Sequence, residues 1–166
     1  MKNNNTINDL LGFFPIVELP VTISEELVYS ADAQNKVLHA VLIEQFIVPW
    51  EGSNIDEFTE FVPCIQLQET DEFYAIIYWK GGLLKKEYIL VTIDKKGNMI
   101  ARRPISTTVV EGELIKRSVG YIDEDMIIHI MAGENKGDLN YDPTKSQAFN
   151  MEIIYTGEII FSLGND

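Results

Sequence analysis

The chain has one cysteine, Cys64, and two histidines, His39 and His129, in 166 residues. A single thiol forms no internal disulfide, which agrees with a reducing compartment. Neither histidine has a second His or a Glu at zinc-binding spacing, so a histidine-based metal centre has no local support. Phosphate loops, dinucleotide fingerprints and the Gly-x-Ser-x-Gly elbow of acyl hydrolases are also missing, and with them the local signatures of nucleotide folds and elbow-type esterases. No apolar run approaches the ~20 residues of a membrane-spanning helix. The start of the chain carries one lysine, and Gly12 and Pro15 break its apolar piece, which makes a poor secretory signal. These absences lead to the expectation of a cytoplasmic protein with no cofactor and no metal.

Basic charge is scarce as well, and unevenly so. The formal net charge is -13, and residues 37–79 contain no Lys or Arg at all. That stretch holds Glu44, Glu51, Asp56, Glu57, Glu60, Glu69, Asp71 and Glu72. From residue 80 to 117 the balance reverses, with nine bases against Glu87, Asp94, Glu111 and Glu113. A strongly negative whole repels phosphate, so neither nucleic acid nor an anionic membrane is an expected partner. The acidic block points instead to a basic or polar protein partner, with Glu57, Glu60, Asp71 and Glu72 as its contacts.

What is present is a repeated apolar-run-and-turn pattern, the signature of an up-and-down antiparallel sheet. Residues 73–79 meet 85–93 across Lys80-Gly81-Gly82, where the two glycines are expected to supply the positive φ of a tight hairpin. The strand then turns through residues 94–98, with Gly97 at the left-handed position, into 99–105. Further turns at Glu111-Gly112, Asp123-Glu124-Asp125 and Thr156-Gly157 separate strands at 107–110, 114–122, 126–132, 148–155 and 158–163. With a first strand at 61–67, about seven or eight strands are expected. In 73–79 both alternating faces are apolar, so this strand is covered on both sides or lines a cavity.

Ahead of the meander, residues 35–48 read as a helix, with Leu38, Leu42 and Phe46 on one face, Asp32 or Asn35 as cap and Pro49 as its end. A brief helix through Tyr29 follows a cap at Thr22 or Ser24. Pro15 and Pro20 make 13–21 extended. The expected fold is thus a single domain over 1–166, mainly β with an α+β character. It consists of a tail at 1–12, an extended segment plus one N-terminal helix at 13–50, and an antiparallel meander at 61–163 forming a bent sheet or barrel.

The chemistry is thin by comparison. Cys64 becomes a nucleophile only if His129 approaches it, and a buried inert thiol is the simpler expectation. His129, within Ile127–Met131, reads as a buried histidine with one hydrogen bond. Asp138, Asn140 and Asp142 open like a calcium loop, but Pro143 stands where the turn needs Gly and Phe149 where a bidentate Glu belongs. Aromatic residues gather near the first hairpin, and Tyr74, Tyr78, Trp79 and Tyr88 are the candidate lining of a small-molecule pocket.

Three readings follow. The first is a noncatalytic binding module whose acidic surface meets a basic or polar protein. The second is a small-molecule-binding barrel or enzyme with a tyrosine-lined pocket. The third is a homodimer formed by pairing flat sheet faces.

Overall fold

The computed structural model describes residues 5–136, 140–141 and 146–162. Within them, eleven strands join into one open mixed sheet, whose main path is β1 (Ile16–Val17), β3 (Glu60–Leu67), β4 (Phe73–Gly81), β5 (Lys85–Asp94), β6 (Met99–Glu111), β7 (Leu114–Ile122), β8 (Ile127–Lys136), β10 (Gln147–Ile153) and β11 (Ile159–Ser162). The short strands β2 (Val21–Ile23) and β9 (Asn140–Tyr141) pair with β7 and β8. The core of the sheet is the antiparallel meander β3 to β8, each strand paired to the next. Its two end strands, β1 and β11, do not pair with each other among the described residues, so the sheet is bent rather than closed into a barrel.

The three strands beyond the expected number are all very short: β1, β2 and β9 have two, three and two residues. Strand β1 also makes the sheet mixed, because it pairs parallel to β3. Four helical pieces lie between these two strands, enough chain for the crossover that parallel pairing requires. The expected strands at 99–105 and 107–110 are one strand, β6. Its Pro104 faces β5, while β7 pairs only with residues 108–111, so the missing N–H of Pro104 interrupts no ladder on that side.

The helical part differs more from expectation. Residues 7–11 are not tail but helix α1 (Ile7–Leu11), whose Ile7, Leu10 and Leu11 are buried. Asp9 accepts a hydrogen bond from the Thr6 backbone N–H at 2.7 Å, tying the first turn. In place of one helix over 35–48, α2 (Leu27–Gln34) comes first and ends at Asn35; a second helical run begins after His39. That run passes from α3 (Ala40–Leu42) through a π-helical turn at Ile43–Ile47 into α4 (Val48–Glu51), and Pro49 sits inside it. Proline lacks an N–H and clashes with the carbonyl four residues back in a regular helix; the wider π turn immediately before it relieves both.

Strand β4 is covered on both faces. On one face Ile76 and Tyr78, with Ile89, Val91 and Ile93 of β5, pack against Ile7, Leu10, Phe14, Leu38, Leu42 and Ile47 from the helices. On the other, Ala75, Ile77, Tyr88 and Leu90 pack against Ile122, Ile128, Ile130, Met151, Ile153 and Ile159, so the β7–β11 half of the sheet folds back over the β3–β6 half. Burying each such side chain contributes about 1.5–3 kcal/mol. Thr92 Oγ1 donates to the Gly157 carbonyl at 2.6 Å and ties β5 to the β10–β11 turn across this layer.

Gly97, Gly112 and Gly157 take positive φ in their turns, as their positions require. Gly81 and Gly82 do not. Among the described residues, no helix is long and apolar enough to cross a membrane.

Candidate functional site

Tyr74, Tyr78, Trp79 and Tyr88 do not share one pocket. Alternation along β4 sends Tyr74 and Tyr78 to the helix face, whereas Trp79, paired in register with Tyr88 of β5, lies on the other face. Tyr74 is half-buried under Lys95, whose Nζ sits 4.0 Å from the ring centroid. Tyr78 is fully buried.

The two residues on the second face do line a cavity, of about 470 Å³, between α2 and strands β3 to β6. Its apolar wall is Trp79, Val62, Val28, Leu83 and Leu84; Glu25, Asp32, Glu60, Lys86 and Arg117 supply charge of both signs at the rim. Arg117 is paired with Glu25 at 3.1 Å. That volume lies within the range of small-molecule clefts, and its lining is polar and apolar in similar measure.

Helix α2 forms one wall and is pinned at both ends, at its start by a sheet side chain and at its end by its own capping side chain on sheet carbonyls. At its start the Val28 N–H donates to Tyr88 Oη at 2.9 Å, and that hydroxyl donates onward to the Glu25 carbonyl at 3.3 Å. At its end Asn35 Nδ2 donates to the carbonyls of Pro63 and Cys64 at 2.8 and 3.0 Å. Those carbonyls lie at the β3 bulge between Pro63 and Ile65, where the ladder with β4 shifts register. Burial pushes the Tyr88 phenol pKa well above its ordinary range, so the hydroxyl keeps its proton.

Trp79 closes the floor of the cavity over Gly81. A Cβ at position 81 would lie 2.0 Å from the indole ring, so only glycine lets the ring lie there. The residue expected to serve a turn instead serves a close approach.

On the opposite face of β4 lies a cluster that the sequence reading did not assemble. Glu51, 2% exposed at the end of α4, accepts from Tyr78 Oη at 2.5 Å, Lys80 Nζ at 2.8 Å and Arg102 Nε at 3.1 Å, with Arg102 Nη2 at 2.6 Å. Burial alone raises a carboxyl pKa, but the hydrogen bonds from Arg102, Lys80 and Tyr78 outweigh it and hold Glu51 below its ordinary 4.5. Burial first, and then the Glu51 charge, push the Tyr78 phenol far above its usual value. Lys80 stands in register with Glu87 of β5. The signal for this cluster was in the alternation: Lys80 continues the buried row of Ile76 and Tyr78, and a lysine there requires a buried counter-charge.

The acidic candidates are exposed but dispersed. Glu60 opens the eight-residue strand β3 and Glu57 precedes it, while Asp71 and Glu72 lie in the turn beyond its other end. The alternating charge blocks find partners within the chain: Glu51 with Lys80 and Arg102, Glu69 with Lys95 at 2.6 Å, and Glu25 with Arg117. Antiparallel neighbours bring an acidic block in sequence beside the basic block that follows it.

His129 is not buried. Its side chain is 40% exposed on the outer face of β8, with Nε2 2.8 Å from Asp123 Oδ2 and Nδ1 3.1 Å from Asn150 Oδ1. Its neighbours Ile128 and Ile130 take the inner face, so alternation decides the matter. The hydrogen bond from His129 is the main cause of a lowered Asp123 pKa. Asp123 also accepts from the backbone N–H groups of Asp125 and Ile127, forming the hairpin turn. Cys64 is in the inner core, on the other side of the sheet from His129, so the two form no dyad. Its thiol pKa is pushed up to about 12 by burial. Ellman's reagent is therefore expected to leave the folded protein unmodified and to titrate one thiol only after denaturation; rapid labelling of the native chain would contradict this burial.

Residues 138 and 142 of the calcium-like loop lie outside the described residues. Among the described residues, no three His, Cys, Asp or Glu side chains gather to hold a metal ion. Comparison with models of protein families, with curated proteins and with solved structures finds no match.

Proposed function

We propose that this chain is a binding protein for a small, partly apolar molecule held between α2 and the β3–β6 half of the sheet. The observation that carries the reading is the cavity of about 470 Å³ floored by Trp79 and walled by Val28, Val62, Leu83 and Leu84. Leu83 and Leu84 are 73% and 64% exposed at the tip of the β4–β5 hairpin. Apolar side chains held in water beside an apolar cleft gain by closing on a ligand. Tyr88 and Asn35 fix the position of α2, which favours a preformed site. The protein-partner reading has less to stand on, because Glu57, Glu60, Asp71 and Glu72 form two separated pairs and the charge blocks pair internally.

The test uses Trp79 as reporter in a Trp50→Phe variant, since these are the two tryptophans of the chain. Titration with the neutral probe N-phenyl-1-naphthylamine is expected to quench Trp79 saturably, with a Kd on the order of micromolar. Leu84→Asp is expected to weaken it roughly tenfold by placing a charge in the apolar wall. Absence of saturable quenching, or equal binding by Leu84→Asp, removes the reading.

A further inference from the structure

On the helix face of the sheet a buried lysine and a buried glutamate face one another without touching. Lys80 Nζ is 4.0 Å from Glu87 Oε1, beyond hydrogen-bond reach, and the two residues are only 7% and 6% exposed. An ammonium has three N–H donors. Lys80 gives one to Glu51, and the others meet no hydrogen-bond partner among the described residues. Glu87 accepts no hydrogen bond there either; its second charged neighbour, Lys85, is 3.7 Å away. Neither Glu87 oxygen is sealed from solvent, so the pair keeps open hydrogen-bonding capacity where it lines a cavity.

Both residues line a cavity of about 520 Å³. Asn54, Asp56 and Thr59, from the loop after α4, form one side; Leu83, Leu84 and Pro104 form the other. An atom placed between Lys80 and Glu87 must accept from an ammonium and donate to a carboxylate. A hydroxyl does both. A carboxylate ligand offers Glu87 no proton and a phosphate brings negative charge against it, while a cationic ligand meets Lys80 and Arg102. The formal charges around the space also cancel, with Lys80, Lys85 and Arg102 against Asp56, Glu87 and the Glu51 behind them. No net field favours an ion of either sign. The side chain of Asn54 offers a further donor and acceptor, whereas the Thr59 hydroxyl is engaged with Asp56, and Leu83, Leu84 and Pro104 suit the C–H face of a ring.

We propose that this cavity is a second binding site, for a neutral, hydroxyl-rich small molecule of the sugar or cyclic-polyol class, with one hydroxyl bridging Lys80 and Glu87. The two cavities share Leu83 and Leu84 at the hairpin tip, but Lys80 and Glu87 lie on the opposite face of the sheet from Trp79, and this proposal does not depend on that cleft's function.

The experiment is a titration of the labelled, intact chain followed by amide NMR. D-glucose, D-galactose, N-acetyl-D-glucosamine and myo-inositol are compared with inorganic phosphate, acetate and ammonium. At least one neutral compound is expected to shift the Gly82, Glu87 and Arg102 amides saturably and to leave Val28 and Tyr29 unmoved. Glu87→Gln is expected to weaken that binding roughly tenfold, as loss of a charge-assisted hydrogen bond does. Asn54→Ala, which touches no buried ion pair, is a second variant expected to weaken it several-fold. The proposal is overturned if no neutral compound gives a saturable shift, if only an ion does, if the shifts fall on α2, or if both variants bind as the parent does.

Discussion

Replacing Glu51 by glutamine is expected to cost about 3–5 kcal/mol of folding stability, because it leaves the buried Lys80 and the half-buried Arg102 without their counter-charge. Glutamine keeps the shape of the side chain but turns one of the two acceptor oxygens into an NH2 group that faces donors, so the cost combines the lost charge with lost hydrogen bonds. Lys80 and Arg102 lose the partner that holds them at 2.8 and 2.6 Å. With total stabilities of about 5–15 kcal/mol, that is a large fraction, and for a domain of this size it corresponds to a Tm drop of roughly 10 °C. Chemical denaturation of the two proteins measures it. An apolar replacement of the whole set (Glu51→Leu with Tyr78→Phe, Lys80→Met, Glu87→Met and Arg102→Met) is expected to recover much of the loss, since the cost lies in the unpaired charge rather than in the volume. The pH dependence has a definite sign. Glu51 has a folded pKa below its ordinary 4.5, so the unfolded chain binds the proton more readily. Its contribution is present in full above that ordinary value and is lost as pH falls through the lowered folded value. The parent protein should therefore destabilise more steeply than Glu51→Gln below about pH 4.5. If the two curves run parallel, Glu51 is not the charged hub of this cluster.

The meander was legible because its turns and alternation are local properties. Gly97, Gly112 and Gly157 mark turns by a backbone need that only their own positions impose, and the doubly apolar pattern of β4 forecast cover on both faces. The helical region was less legible because its breaks are set by tertiary partners. Asn35 looks like the start of a helix, yet it ends one, since its amide is drawn to the carbonyls of the Pro63 bulge. Pro49 looks like a stop, but a π turn absorbs it. The site was legible in half. Trp79 and Tyr88 do line a cleft, and Tyr74 and Tyr78 do not, because a period of two sends adjacent aromatics to opposite faces. The Glu51 cluster joins residues 51, 78, 80, 87 and 102 through a helix end and three strands. No short motif records such a meeting, and only the buried parity of Lys80 hinted at it.

Gly81→Ala is expected to act on stability and on the Trp79 cleft together. The added methyl would lie 2.0, 2.5 and 2.7 Å from three atoms of the indole, distances that van der Waals contact forbids. Gly81 is itself buried and has ladder partners on both sides, Glu60 of β3 and Lys86 of β5, which leaves its backbone little room to retreat. The ring must therefore swing away, at about 1–3 kcal/mol for forced repacking. Its direction of escape is the cavity it floors, so the displaced indole fills the space proposed for a ligand. Three readouts should move together in a Trp50→Phe background: a lower unfolding midpoint, a red-shifted Trp79 emission as the ring gains water, and loss of N-phenyl-1-naphthylamine quenching. A matched Gly82→Ala variant separates this from a hairpin effect, since a Cβ there meets only the Lys85 carbonyl at 3.3 Å. It should bind the probe nearly as the parent does. If Gly81→Ala leaves emission and binding unchanged, the indole does not rest on Gly81, and the cleft loses the floor on which its proposed ligand-binding role depends.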